Sequence, residues 1–393
     1  MKQIIYLLLD GLGDYSYAEL GIKTPLEYAN TPFFDSLASG GKEGLIVPTG
    51  LGREILMENA SLMLFSDLGY DLRTFPHARG IIEAVGHGFD VKDGELWART
   101  NFATVDENWV LIDLRAGRIS QTEELVKAVN EIQMDVEFHF YGTQVYRGLL
   151  VFRDDKALSD EITGVDPHMP GKKVMMAKAL KPEAKRSAEL INDFMKKAYE
   201  VLKQHPINIE RREMGLPEAN FILPRGIGSK LPHLQPFEER HNLKAVSITG
   251  INVNKGISKL LGIPIWEVPE EIGEKEYEVK REPILKAIDQ GYDFISVHVK
   301  PTDDAGHDGD VHKKVREIER ADAFFSSLEL DDVLWAIYAD HCTPCFIKAH
   351  SNDLIPSLIS SKKASGRQFA EKYCTDYTVQ AYDFIKLALK EAR

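Results

Sequence analysis

Residues 294–310 read FISVHVKPTDDAGHDGD. The run Phe294–Val299 is short and largely apolar, and Lys300-Pro301 closes it. It reads as a buried strand of a parallel sheet. Asp303 and His307 follow directly. The same arrangement occurs twice more. Ile4–Leu9 (IIYLLL) runs into Asp10-Gly11, and Leu334–Ala339 (LWAIYA) runs into Asp340-His341, with His350 a few residues on. In open α/β sheets, ligands gather beyond the carboxyl ends of the strands. Three strands ending in carboxylates and imidazoles therefore predict a parallel-rich sheet with one site at those ends.

Working outward, strands and helices alternate at both ends of the chain. Thr31–Ser39 is helix-like, with Pro32 near its start and Gly40-Gly41 to stop it. Gly44–Pro48 reads as a strand and Met57–Leu68 as a helix closed by Gly69. After Leu243 come a strand at Ala245–Ile248, helices at Lys255–Leu261 and Val311–Ser326, and a terminal helix at Val379–Ala392. Such alternation favours a sheet covered by helices on both faces. From about Phe75 the pattern changes to short alternating pieces, Glu95–Arg99, Val110–Asp113, Glu137–Tyr141 and Gly148–Arg153, which predict antiparallel pairing. Pro182–His205 is a long amphipathic helix through Ala188, Ile191, Phe194 and Ala198. The expected organisation is one discontinuous α/β domain, residues 1–75 plus 242–393, interrupted by a smaller α+β domain over 76–241.

At 393 residues the chain exceeds one ordinary core, which agrees with two domains. Its net charge of -13, without a Lys/Arg cluster, argues against a nucleic-acid or membrane surface. Ile4–Leu9 is too short to span a bilayer and carries no cleavage pattern, so no signal peptide is expected. Three cysteines, an odd and sparse count, suit a reducing cytoplasm. Cys342 and Cys345 form a C-x-x-C that leaves a redox or zinc role open, beside plain packing next to Asp340-His341.

Asp10, Asp303, His307, Asp340, His341 and His350 together would suit two divalent cations. Mixed Asp/His ligation fits Mn or Zn, and the imidazoles disfavour Mg. Two such ions clamp the attacking and leaving oxygens of a phosphoryl transfer. Taken singly, Asp10 before Gly11 also fits a turn, Asp303–His307 a solvated loop and His350 a structural histidine.

The motifs are longer than these ligands. DGLGD (10–14), TPLEYANTP (24–32), NFATVDE (101–107), RAGRI (115–119), VHVK (297–300), TDDAGHDGD (302–310) and DHCTPCFIKAHS (340–351) span almost the whole chain. In these the sequence resembles the archaeal-type cofactor-independent phosphoglycerate mutases. The resemblance implies an alkaline-phosphatase-like domain with an inserted transferase domain, acting without 2,3-bisphosphoglycerate. It implies that Asp303, His307 and His350 hold one metal, and Asp10, Asp340 and His341 the other. It further implies a serine that takes the phosphoryl group of 3-phosphoglycerate and returns it to the other hydroxyl, in glycolysis and gluconeogenesis. Arg115, Arg118, Arg147, Arg225 and Lys255 fall in matching motifs as substrate-binding residues, apt for phosphate and carboxylate. The expected partner is a small phosphorylated substrate; self-association is left open.

One departure bears on the chemistry. Where the family reads Gly-Ser-Asp-Thr-Ala-His-Leu, residues 56–62 read LMENASL, so Met57 stands at the serine position. A thioether cannot carry a phosphoryl group through oxygen. Ser61 lies one helical turn on, about 5 Å away. Leu114 replaces the arginine usual before RAGRI, and Tyr146 a histidine. The sequence thus leaves three functions to weigh: a mutase or close paralogue, a metal-dependent phosphoester hydrolase using hydroxide held by the metals, and a non-catalytic phospho-ligand sensor.

Overall fold

The structure, a computed structural model, describes residues 1–48, 62–271 and 273–393. Met57 and Ser61 lie outside the described residues. Among the described residues, the strands in chain order are β1 (Gln3–Leu9), β2 (Lys42–Val47), β3 (Leu96–Val105), β4 (Leu111–Asp113), β5 (Glu137–Gly142), β6 (Arg147–Arg153), β7 (Phe221–Gly228), β8 (Ala245–Thr249), β9 (Ile265–Glu267), β10 (Phe294–Val299), β11 (Val333–Tyr338), β12 (Ile355–Ser360) and β13 (Tyr377–Gln380). The chain divides into two units, Met1–Phe75 with His233–Arg393, and Pro76–Pro232.

The first unit is built on a sheet of order β13-β2-β12-β11-β1-β10-β8-β9. β11, β1, β10, β8 and β9 are parallel neighbours, while β12 runs antiparallel between β11 and β2. All of β10 and β11, and β1 from Ile4 onward, are buried. That is why these segments read as largely apolar runs rather than alternating ones. Leu8 is level with both His298 and Tyr338, so β1, β10 and β11 deliver their carboxyl ends side by side. Buried carboxylates lock the covering helices. Asp322, on the helix Val311–Ser326, accepts the backbone N–H groups of Phe33 (3.3 Å) and Phe34 (2.7 Å), two donors that the first turn of the helix Pro32–Gly40 leaves open.

The second unit is antiparallel throughout: β3 pairs with β4, β6 and β7, and β5 with β6. The helix Lys185–Lys203 buries Ala188, Ile191, Phe194 and Ala198 against Leu96, Ala98, Leu150 and Phe152. The alternate residues Trp97, Leu149 and Val151 face the other way, onto Ile81 and Ala84 of the helix Arg79–Gly86. This period of two is the expected signature of a sheet covered on both faces.

Several sequence expectations need amendment. The terminal helix begins only at Ala381, because Tyr377–Gln380, rich in strand formers, joins β2 as a parallel strand. The helix expected over Pro182–His205 opens as a 3-10 turn, Pro182–Ala184. That expected over Met57–Leu68 is helical at Met63–Asp67 within the described residues. The second unit ends at Pro232 rather than at 241. The helix Phe237–His241 packs with the first unit instead: the Phe237 ring lies 4.9 Å from that of Phe294, and His241 meets the Leu68 carbonyl at 3.1 Å. β7 and β12 escaped the sequence reading because each contains a proline, a strand-breaking signal. No helix among the described residues is long and apolar enough to cross a membrane.

One buried acid makes stability depend on pH. Glu43 of β2 is wholly buried and neither carboxylate oxygen has a hydrogen-bond partner, the Arg367 guanidinium standing off at 4.0 Å. Burial, offset in part by Arg367, pushes its pKa up to about 7. The folded chain therefore keeps a proton that the unfolded chain releases at lower pH. Stability from this group is complete below the ordinary carboxylate range and declines as pH rises toward 7. We predict that Glu43→Gln flattens the fall in Tm between pH 5 and 8, measured by differential scanning calorimetry; an unchanged slope would contradict this.

Candidate active site

The site is assembled where β1, β10 and β11 end. Asp10 follows β1, its N–H bound to the Val299 carbonyl at 2.9 Å. Asp303 and His307 lie not in a loop but on the helix Pro301–Asp308, where a spacing of four puts them on one face. Gly11 has a positive φ of 65°, and a Cβ there would come within 2.5 Å of Thr343 Oγ1 and 2.9 Å of Asp303 Oδ1. Only glycine lets the two loops approach this closely.

The hydrogen bonds fix which imidazole nitrogens are bare. Thr343 Oγ1 donates its one proton to Asp303 Oδ1 (2.6 Å), so it accepts from His341 Nδ1 (3.1 Å). His341 Nε2 then carries a lone pair, facing Asp340 Oδ2 at 3.3 Å and Asp10 Oδ1 at 3.4 Å. His307 Nδ1 lies 3.0 Å from the Lys348 carbonyl, which can only accept, so in the neutral ring Nε2 carries the lone pair. That nitrogen is 3.0 Å from His350 Nε2, and each is 3.6 Å from Asp303 Oδ1. The His341 and His350 rings stack at 3.8 Å.

These atoms lack a positive charge. Asp10 Oδ1 is buried without a hydrogen-bond partner. Burial, then the nearby His350, lowers the His341 pKa to about 3, which keeps the ring neutral. Burial, then Asp10, pushes the Asp340 carboxyl well above the usual range. Lys300 supplies one cation, 2.6 Å from Asp303 Oδ2 and 3.5 Å from Asp10 Oδ2. Burial alone would raise both carboxyls, but Lys300 holds them below their ordinary values. Donor atoms of Asp10, Asp340 and His341, and of Asp303, His341 and His350, lie within 4.8 Å of one another in each group. Bare imidazole nitrogens and an orphaned carboxylate oxygen converging in this way fit divalent cations. His341 contributes to both groups, whereas the resemblance gave it to one. His307 adjoins the second group through His350.

Sequence reading missed the residues that hold these donors. His298 Nε2 is 2.9 Å from Asp10 Oδ2, and its place in an otherwise apolar buried strand was the available signal. Thr302 donates its hydroxyl to the Asp10 carbonyl. Lys314, fully buried, donates to Asp14 Oδ2 (2.9 Å) and to the carbonyls of Gly13 and Thr343. Asp14 accepts in turn from the Cys345 N–H. This buried ion pair ties the loop after β1 to the loop after β11.

The other expected residues are distributed differently. Arg147 and Arg225 lie on β6 and β7, both in the antiparallel unit. Arg115 and Arg118 are exposed around the turn Ala116–Arg118. Lys255 is engaged by Glu267 at 2.7 Å. Cys342 and Cys345 are free and buried, burial pushing the Cys345 thiol up to about 12, which suits packing rather than redox exchange.

The Thr343 hydroxyl orients both Asp303 and His341. Outer hydrogen bonds of this kind are worth about 10–100-fold in metal affinity. Thr343→Val should weaken Mn²⁺ binding by that order in a calorimetric titration; wild-type affinity would contradict the tautomer assignment.

Comparison with known proteins bears on the family of the chain. The family profile described as 2,3-bisphosphoglycerate-independent phosphoglycerate mutase matches residues 38–208. A protein of that name from Methanosphaera stadtmanae is 41% identical over 370 residues, 92% of this chain and 89% of its own. The 2,3-bisphosphoglycerate-independent phosphoglycerate mutase 1 of Methanocaldococcus jannaschii is 40% identical over 91% of this chain and 88% of its own. Among solved structures, the PH0037 protein from Pyrococcus horikoshii superposes with a TM-score of 0.80 at 30% identity, covering 99% of this chain and 97% of that one. The cofactor-independent phosphoglycerate mutase from Thermoplasma acidophilum superposes at 0.67 and 28% identity over both full lengths. The chain belongs to the family of 2,3-bisphosphoglycerate-independent phosphoglycerate mutases.

Proposed function

We propose that this chain is a phosphoglycerate mutase that moves a phosphoryl group between the 3- and 2-hydroxyls of glycerate by two-metal phosphoryl transfer, without 2,3-bisphosphoglycerate. The observation that carries the reading is the convergence of bare donors at three strand ends, in a chain 41% identical over 370 residues to a protein of that name. Asp10, Asp340 and His341 would hold one ion, and Asp303, His307 and His350 the other, with His341 placed to touch both. Mn or Zn suits this mixed set better than Mg. Such ions supply Lewis-acid stabilisation of charge on the attacking and leaving oxygens.

The chain's own residues do the remaining work. His298 and Lys300 fix the Asp10 and Asp303 carboxylates, and Thr302 the Asp10 backbone carbonyl, before substrate arrives. Lys300, whose side chain is 35% exposed, also leaves a cation at the rim of the site for a phosphoryl oxygen. Arg115, Arg118, Arg147, Arg225 and Lys255 are the proposed substrate ligands. Arg147 and Arg225 have the strongest support, because β3 brings their strands together. The phosphoryl acceptor must be an oxygen, so Met57 is excluded and Ser61 is the candidate hydroxyl. Membership of the mutase family favours this reading over the hydrolase and sensor alternatives.

The Mn²⁺-loaded protein should convert 3-phosphoglycerate to 2-phosphoglycerate in an enolase-coupled assay, and Ser61→Ala should lose roughly 10⁴-fold or more of that rate. Turnover only in Met57→Ser would overturn the proposal and identify a scaffold disarmed at its nucleophile.

A further inference from the structure

His307 is the candidate donor least held by packing. Its side chain is 42% exposed, against 3% for Asp303 and 19% for His350. A ring so open to water keeps one orientation only if a hydrogen bond holds it. Among the described residues its Nδ1 has one partner, the Lys348 carbonyl at 3.0 Å. Its other nitrogen faces His350 Nε2, two residues beyond Lys348. Lys348 thus joins the helix Pro301–Asp308, which carries Asp303 and His307, to the loop that carries His350.

The backbone of Lys348 is strained at this point. The N–H groups of Ile347 and Lys348 both reach the Pro344 carbonyl, at 3.1 and 3.0 Å, which makes one helical turn. Lys348 then turns left-handed, with a φ of 53°. Glycine or asparagine is the usual residue where a helical turn ends in this way, because the Cβ of other residues crowds a carbonyl oxygen. Among the described non-glycine residues with positive φ, Lys348 alone lies within two positions of a candidate donor. The reversal brings the chain back toward the sheet, where the Ser351 N–H meets the Cys342 carbonyl at 3.0 Å. The lysine side chain lies over the end of the helix. A Cβ at Gly309, which itself has a φ of 73°, would stand 2.9 Å from Lys348 Nζ and 3.1 Å from the Cys345 carbonyl, so glycine is what admits the loop here. An ammonium in that place also complements the carbonyls at the helix C-terminus.

We propose that Lys348 is a positioning residue whose left-handed backbone holds His307 with Nδ1 protonated and Nε2 free to bind a cation. Strain of this kind persists only where the surroundings impose it, and here it presets a ring that packing leaves loose. The carbonyl can only accept, so one oxygen decides both the tautomer of His307 and the direction of its ring. Lys348 acts through His307 and not by touching the cation or the substrate. The inference rests on the reading of His307 and His350 as donors to one divalent cation, and not on mutase turnover.

The test compares Lys348→Gly with Lys348→Val in the full chain. Both remove the ammonium, but glycine adopts the left-handed backbone freely and a β-branched residue resists it. One readout is Mn²⁺ affinity by calorimetric titration. The other is the His307 tautomer, read by NMR on the chelated chain isotope-labelled at histidine, with His307→Gln to assign the signals. Lys348→Gly should keep the Nδ1–H tautomer and bind Mn²⁺ as the natural chain does. Lys348→Val should populate the Nε2–H tautomer and bind at least about tenfold more weakly. Glu329→Val, at another exposed residue of positive φ, should lower Tm and leave both readouts unchanged. The natural tautomer and affinity in Lys348→Val, or the same loss in Lys348→Gly or Glu329→Val, would overturn the inference. If the natural chain binds no Mn²⁺, the cation reading falls, and the tautomers of the two variants decide this inference by themselves.

Discussion

Three carboxylates, Asp10, Asp303 and Asp340, are forced together because β1, β10 and β11 run parallel and end level. All three are at most 6% exposed, and the His341 imidazole between them is held with its lone pair facing inward. The arrangement is a standing demand for positive charge. Lys300 meets part of it, and the imidazoles of His307, His341 and His350 beside these carboxylates are the reason we propose divalent cations for the rest.

Precision in the donors comes from the residues around them. A single threonine hydroxyl decides both the tautomer of His341 and the orientation of Asp303. The buried Lys314–Asp14 pair fastens the loops that carry these residues. A buried ion pair of this kind is weak evidence for stability, because desolvation offsets the attraction. Its value here is positional, since Lys314 gathers oxygens from both loops at one nitrogen.

Much of this was legible in the sequence, for physical reasons. A strand buried on both faces is largely apolar, so IIYLLL, FISVHV and LWAIYA stand out, and an acid within a few residues of each is conspicuous. The candidate donors could be read because carboxylates and imidazoles, unlike the hydroxyls that hold them, are chemically distinctive. The supporting residues were less visible: Thr343 and Thr302 are ordinary hydroxyls until their partners are known, and Lys314 sits within a helix whose pattern predicts only amphipathicity. β7 and β12 were concealed by Pro224 and Pro356. The step from Val379 back to Tyr377 as strand rather than helix was settled by pairing with β2, a tertiary contact that overrides local propensity.

The account depends most directly on the cations we propose for the strand-end cluster. Mass-spectrometric metal analysis of the Mn²⁺-loaded, desalted chain measures them, with His341→Ala alongside because that residue touches both groups. The account predicts two ions per chain in the natural protein and loss of both in the variant. A chain that retains no metal, or a variant that retains two, would contradict it.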